Sequence, residues 1–246
     1  MGYSRRRKNP VPDFDGVLLV DKPMEWTSHD VVNLVRNRFR FNKVGHCGTL
    51  DPLATGLIVV VIGKATKLSN QLTADDKTYI TEMCLGRETD SHDEEGKTTV
   101  EKTFDHVTEE AIRKCAEKFT GDQMQIPPMV SALKKDGKKL YELARKGIEV
   151  EREARPVKFH SIDVTKVELP KVEFTLHCSK GSYVRVLCHD MGRALDSAAY
   201  MSGLRRTKSG QFSINGAISA TELKQMERED VEKLILPIEQ LEIAED

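Results

Sequence analysis

Apolar positions along the chain recur in two periods. Short continuous runs at "GVLLVDKP" and "GLIVVVIG" predict buried strands, the first stopped by Pro23. "KTYITEMCLG" alternates like a half-buried strand, and strand-like runs recur near 157–168 and 171–178. Helical spacing marks "WTSHDVVNLVRNRFR", where Val31, Val35 and Phe39 share one face and Thr27 or Ser28 can cap. It returns in "TEEAIRKCAEKFTG", capped by Thr108 and closed by Gly121, and in "SYVRVLCHDMGRAL" after a turn at Gly181. "KATKLSNQL" starts another helix, "LRRTKSGQFSI" reads as a basic strand, and the end of the chain reads as helical and acidic. Between these, "GRETDSHDEEGKTT" is a polar loop. "QIPPMVSALKKDGKKLYELARKG" is a proline-initiated loop, a turn at Asp136–Gly137 and a short helix ending at Gly147. Strands do not alternate strictly with helices, so an α+β arrangement is expected over a doubly wound parallel sheet.

Composition narrows the class. The 246 residues are 39% hydrophobic and 31% charged, which suits one large domain or two small ones. The first residues, "MGYSRRRKNPVPDFDG", lack the apolar region of a secretory signal, and the longest apolar run is strand-sized. The five cysteines, at 47, 84, 115, 178 and 188, form no C-x-x-C pair, so a reducing cytoplasm is expected, without a disulfide framework or zinc site. The net charge of −1 conceals an asymmetry. Residues 222–246 carry nine acids against three bases, a net of −6, so the rest of the chain stands at +5. A basic body leaves a phosphate-rich partner open. Residues 1–13, with Arg5, Arg6, Arg7 and Lys8 together, read as a disordered basic arm.

Several look-alike motifs fail on spacing. "GKAT" at 63–66 lacks the first glycine and the closing hydroxyl of a phosphate loop, with Ile58 and Ala65 there instead. "DSHDEEG" lacks the ligand order of a calcium loop. No two of the seven histidines stand as H-x-x-x-H, and His46 beside Cys47 has no partners at ligand spacing. "KVGHCGTLDPLATGL", residues 43–57, is different. An Asp in a glycine-rich loop is ordinarily a turn residue that caps backbone amides. Here Pro52 drives Asp51 out of the helical region, while Gly45, Gly48 and Gly56 allow close approach of backbone or ligand. The result is a rigid loop presenting one carboxylate, which can serve as nucleophile or general base. Either role needs the ionised form, and so a cation nearby if the site is dry.

"GHCGTLDPLATGL" resembles the signature loop of TruB-type tRNA pseudouridine synthases, with the catalytic Asp at Asp51. The resemblance extends over roughly residues 15–240. "GVLLVDKPMEWTS" is similar to the family's N-terminal strand and Lys-Pro turn, here Lys22 and Pro23, and "KTYITEMCLGRETDSHDEEG" to its base-stacking Tyr segment, here Tyr79. "QIPPMVSALKKDGKKLYELARKGIEVEREAR" resembles its RNA-thumb region, "KGSYVRVLCHDMGRAL" its Tyr-x-Arg motif at Tyr183 and Arg185, and "LRRTKSGQF" its last core strand.

The resemblance implies a pseudouridine synthase fold, a mixed and mostly antiparallel sheet flanked by helices with a central RNA-binding cleft. It implies a catalytic domain over 14–221 with an RNA-clamping insertion around 122–155, and an acidic helical segment over 222–246. Family members often carry a C-terminal PUA module, and the chain stops about where one would begin, so either this lineage lacks the module or the chain is truncated. The implied activity isomerises a T-loop uridine of tRNA, position 55, to pseudouridine after flipping the base. Asp51 would be essential, as nucleophile on the sugar, nucleophile on the base, or proton acceptor. Arg185 would keep it ionised, and Tyr79 would stack on the base. Tyr183 would line the pocket, His46 would fill the space the base leaves, and Lys22, Lys67, Asp93 and Leu204 would lie near the RNA or the pocket. The six bases against two acids of 134–146 would grip T-arm phosphates. No cofactor, no metal, no membrane and no protein partner are expected, and the protein should act as a monomer. Two other readings remain, an RNA chaperone that folds tRNA and a synthase for another RNA.

Overall fold

The computed structural model describes residues 14–131, 133–135 and 137–242. The basic arm expected over 1–13 lies outside them, as do parts of the basic cluster at 134–146. The described residues form two compact units, one from 14–74 with 211–242 and the other within 75–210.

The first unit begins with β1 (Gly16–Lys22), whose side chains are almost all buried. α1 (Ser28–Phe39) follows, capped by Thr27 in a box: the Thr27 hydroxyl accepts from the Asp30 amide while the Asp30 carboxylate accepts from the Thr27 amide. α1 buries Val31, Val32, Val35 and Phe39 and packs on β1, on β2 (Val44–Cys47) and on β3 (Thr55–Ile62). β3 is antiparallel to both strands, with Leu19 opposite Val59 and His46 opposite Val60. Burial on both faces is why β1 and β3 read as unbroken apolar runs. A 3-10 turn (Gly63–Leu68) and the short α2 (Ser69–Thr73) stand where a longer helix was expected.

The second unit is built on an antiparallel sheet. β4 (Lys77–Leu85) alternates buried and less buried residues, as its sequence predicts. The supposed polar loop after it is instead a hairpin, β5 (Arg87–Thr89) with β6 (Thr98–Glu101), and it buries Glu88, Thr89 and Asp93. These polar side chains find internal partners, which composition alone cannot reveal. α3 (Glu109–Phe119), capped by Thr108, precedes β7 (Gly121–Gln125), the two-residue hairpin strands β8 (Lys134–Lys135) and β9 (Lys138–Lys139), and α4 (Leu140–Ala144). β10 (Arg155–Glu168) and β11 (Lys171–Cys178) lead to α5 (Val184–Ala194) and β12 (Ala199–Ser209). The strand order is β12-β4-β11-β10-β7. α5 packs on β12, and α3 on β10 and α5.

The chain then completes the first unit with β13 (Phe212–Ser213), β14 (Ile218–Ser219), α6 (Ala220–Leu223), α7 (Arg228–Glu232) and β15 (Leu236–Pro237). β14 pairs parallel and β15 antiparallel with β1. The acidic end, expected to be helical, holds short helices and an added strand. Gly16 makes that strand possible, because a Cβ there would meet the Leu236 carbonyl oxygen at 2.3 Å. No helix among the described residues is long and apolar enough to cross a membrane. The α+β class, mostly antiparallel with flanking helices, is as the sequence predicts.

Gly192 tests the packing of α5 on β12. A Cβ there would sit 2.6 Å from the Ala199 amide nitrogen. Ala is favoured over Gly in a helix by about 1 kcal/mol, while overpacking costs about 1–3 kcal/mol, so the clash outweighs the propensity. Gly192→Ala is expected to lower the urea midpoint, corresponding to a net loss of up to about 2 kcal/mol.

Candidate active site

The loop carrying Asp51 is pinned on both sides by the β1–α1 turn. Lys22 ends β1 with its side chain fully buried. Its Nζ donates to the carbonyls of Pro23 (3.0 Å), Trp26 (2.6 Å) and Pro52 (3.2 Å). The Pro52 carbonyl also accepts from the Glu25 amide at 2.9 Å. On the other side of Asp51, Ser28 makes a two-way bridge to Leu50: its Oγ accepts from the Leu50 amide at 2.8 Å and donates to the Leu50 carbonyl at 3.1 Å. The Asp51 carbonyl accepts from the Ala54 amide at 3.0 Å, closing the turn. Gly48 and Gly56 have φ of 78° and 101°, conformations that glycine adopts without strain. Asp51 itself is half-buried, on a backbone held at both neighbours.

A second polar constellation gathers at the N-terminus of α5. Arg185 lies in the first turn and is 4% exposed. A cation there opposes the helix dipole, so it needs acceptors. It donates to the Ser91 carbonyl (3.4 Å), to Asp93 Oδ2 (3.5 Å) and to the Val130 carbonyl. Asp93 is buried too, and its own carbonyl accepts from the Thr89 hydroxyl at 2.7 Å. The guanidinium stands 6.0 Å from the centroid of the Tyr183 ring. Gln125 clamps the Tyr183 backbone from both ends: Nε2 donates to its carbonyl at 3.1 Å and Oε1 accepts from its amide at 3.0 Å.

Beside this group, the His92 and His189 rings stack at 4.1 Å. Burial pulls the His92 pKa down to about 4, with further lowering from His189 and Arg185. The buried Glu88 is held below the usual carboxylate range mainly by Arg193, which meets it through two bonds of 2.9 and 3.0 Å. Such a two-point contact fixes direction as well as charge.

The sequence-predicted residues thus fall into two groups. Lys22 belongs with the Asp51 loop, where its fully buried side chain ties the β1–α1 turn to Pro52. His46 sits in β2 rather than in a loop. Lys67 is exposed on the 3-10 turn after β3. In the second unit, Asp93, Tyr183 and Arg185 come together as described. Tyr79, 9% exposed, and the half-buried Leu204 lie on paired strands, with Leu204 opposite Thr81 and Tyr79 opposite Arg206. Sequence reasoning missed Ser28 as a loop anchor, and Gln125, whose partner is 58 residues away. Neither has a local signal, because each acts on backbone brought near only by the fold.

Known proteins share this sequence and fold. The TruB family pseudouridylate synthase N-terminal domain matches residues 36–184, and the tRNA pseudouridylate synthase B C-terminal domain matches 185–241. The tRNA pseudouridine synthase B of Opitutus terrae is 44% identical over 231 residues, covering 94% of this chain and 96% of that protein. That of Clostridium tetani is 45% identical over 225 residues, covering 92% of this chain and 77% of that protein. Among solved structures, a chain in the crystal structure of a Cbf5-Nop10-Gar1 complex superposes with a TM-score of 0.71 at 32% identity. The match covers 91% of this chain and 60% of that one. The chain belongs to the TruB family of pseudouridylate synthases.

Lys22→Met retains the volume but removes the donor from three carbonyls. It is expected to destabilise the protein by about 2–3 kcal/mol and to speed amide exchange across Leu50–Ala54, since an orphaned buried acceptor costs about 1–3 kcal/mol. Lys67→Met, on the surface, should change neither reading beyond about 0.5 kcal/mol.

His92 makes stability depend on pH. Unfolded, it takes a proton near 6.5; folded, only near 4. Between these values the unfolded chain binds more protons, so stability falls as pH falls. Thermal melts at pH 7.5 and 5 should show that loss in wild type and a smaller one in His92→Phe.

Proposed function

We propose that this protein isomerises a uridine in the T loop of tRNA, position 55, to pseudouridine, with Asp51 as the catalytic carboxylate. The observation that carries the proposal is the Asp51 loop of a TruB-family chain, anchored through Lys22 and Ser28 on either side of a half-buried Asp51. The names of the relatives, tRNA pseudouridine synthase B, support tRNA as the substrate.

The reaction is an exchange of bonds within one nucleotide. The bond from C1′ to N1 of the base breaks and the base turns. A bond from C1′ to C5 forms, C5 gives up its proton, and N1 gains one. Asp51 must be ionised to act as nucleophile or base. Arg185 is the proposed cation that holds it so, and Tyr79 the flat surface against the flipped base. Tyr183, Asp93 and Leu204 complete the proposed pocket, and His46 occupies the space the base vacates. Extracting a stacked base costs a few kcal/mol, which phosphate contacts must offset. The exposed Lys138, Arg145 and Lys146 of the 134–146 segment supply cations of that kind. In this reading the protein works as a monomer, in the cytoplasm, on the T arm.

The test is single-turnover pseudouridine formation in an unmodified T-arm stem-loop, with binding measured in parallel. Wild type should form product. Asp51→Asn should bind within a few-fold of wild type and lose at least about three orders of magnitude in rate, the scale of an essential reacting group. Wild-type binding without product would overturn the enzyme reading in favour of an RNA chaperone.

A further inference from the structure

A cluster outside the proposed pocket brings together Asp76, His160 and His177. Asp76 immediately precedes β4, His177 lies near the end of β11, and His160 lies on β10. These are three neighbouring strands of the second unit's sheet. His177 pairs with Thr78 of β4, and the β10–β11 register slips by one between Phe159 and Ser161. His160 is the extra residue of that bulge. Bulges re-aim side chains, and this one brings the His160 ring to 4.6 Å from that of His177.

Three ligand atoms converge. Asp76 Oδ2 stands 2.9 Å from His160 Nε2 and 3.9 Å from His177 Nε2. All three lie within 4.8 Å of one another. Around a tetrahedral zinc with bonds of about 2.0–2.1 Å, neighbouring ligand atoms are roughly 3.3 Å apart. The two separations from Asp76 bracket that value. A dication placed among these atoms would engage all three at once. The backbone beneath is fixed. The Asp76 carbonyl accepts from the Gly210 amide at 2.9 Å, and the neighbouring Lys77, 6% exposed, donates to the Asp75 carbonyl. The three side chains are 46%, 30% and 45% exposed in the order Asp76, His160, His177, which leaves a path for an ion and a position for water.

We infer that Asp76, His160 and His177 form a binding site for a borderline divalent cation of the zinc type. Two imidazoles and one carboxylate suit zinc, cobalt or nickel, whereas magnesium and calcium prefer all-oxygen shells. The bound ion would join β4, β11 and β10 at one end of the sheet and so favour the folded chain by mass action. This inference is independent of the proposed reaction.

The probe is zinc added to chelator-stripped protein, followed by calorimetry and thermal melting, with cobalt(II) as a spectroscopic stand-in. Expected are one ion per chain, a raised melting temperature, and cobalt d–d bands without a thiolate charge-transfer band. His160→Ala and His177→Ala should each weaken binding by at least about a hundredfold, since loss of even an outer-shell partner costs about 10- to 100-fold. Asp76→Asn should weaken it as well. Cys178→Ser, beside His177 but buried, with its thiol pushed up to about 12, should leave binding unchanged. All variants should melt near wild type when no metal is present. Three results would each overturn the inference: no saturable binding to wild type, unchanged binding in the double variant His160→Ala/His177→Ala, or a thiolate band in the cobalt spectrum.

Discussion

The Asp51 loop depends on one buried ammonium. Lys22 is fully buried at the end of β1, and its donors go to carbonyls on both the β1–α1 turn and the Asp51 loop. A buried charge is tolerated only where oriented dipoles replace water. The same contacts that solvate the ammonium therefore join two stretches of backbone thirty residues apart. With Ser28 holding Leu50 on the other side, the loop has little freedom at the residues flanking Asp51. Chemistry that needs a carboxylate in one place is served by this rigidity, because a fixed group does not have to be ordered at the moment of reaction.

The second unit treats its own buried cation in a similar way. Arg185 sits where the helix dipole disfavours it, and carbonyl oxygens together with Asp93 compensate. Gln125 fixes the Tyr183 backbone at the start of the same helix, so the Tyr-x-Arg segment is held at both residues. The sheet beneath, β12-β4-β11-β10-β7, carries Tyr79 and Leu204 on paired strands. In both units, rigid regular elements hold short irregular segments that bear the polar groups.

What was legible in the sequence follows from the range of the interactions. Strands such as β1 and β3 and helices such as α1 and α3 announce themselves, since apolar periodicity and caps at Thr27 and Thr108 are local. Asp51 was legible because Pro52 and the glycines constrain it locally; the resemblance, not the spacing, singled out Tyr79 and Arg185. The β5–β6 hairpin was hidden, because Glu88 and Asp93 are buried against Arg193 and Arg185, about a hundred residues on. Lys22 was noticed for its Lys-Pro turn, but its burial depends on Pro52 and cannot be read from the turn. The His160–His177 pair escaped any spacing rule, since a bulge and a strand register bring the two together. The acidic end was only partly legible for a related reason. Its helical reading does not show the strand, because β1 offers an open edge that Leu236 and Pro237 fill.

The central claim is that a carboxylate at one fixed position does the chemistry, and Asp51→Glu tests it most directly. The substitution keeps the charge and moves it by about one methylene, and a misplacement of about 1 Å can cost about 100-fold in rate. In single-turnover reactions on a T-arm stem-loop at saturating protein, the account predicts unchanged binding and a rate lowered by at least about 100-fold. A rate within a few-fold of wild type would contradict it, showing that the anchored loop does not set where the carboxylate must be.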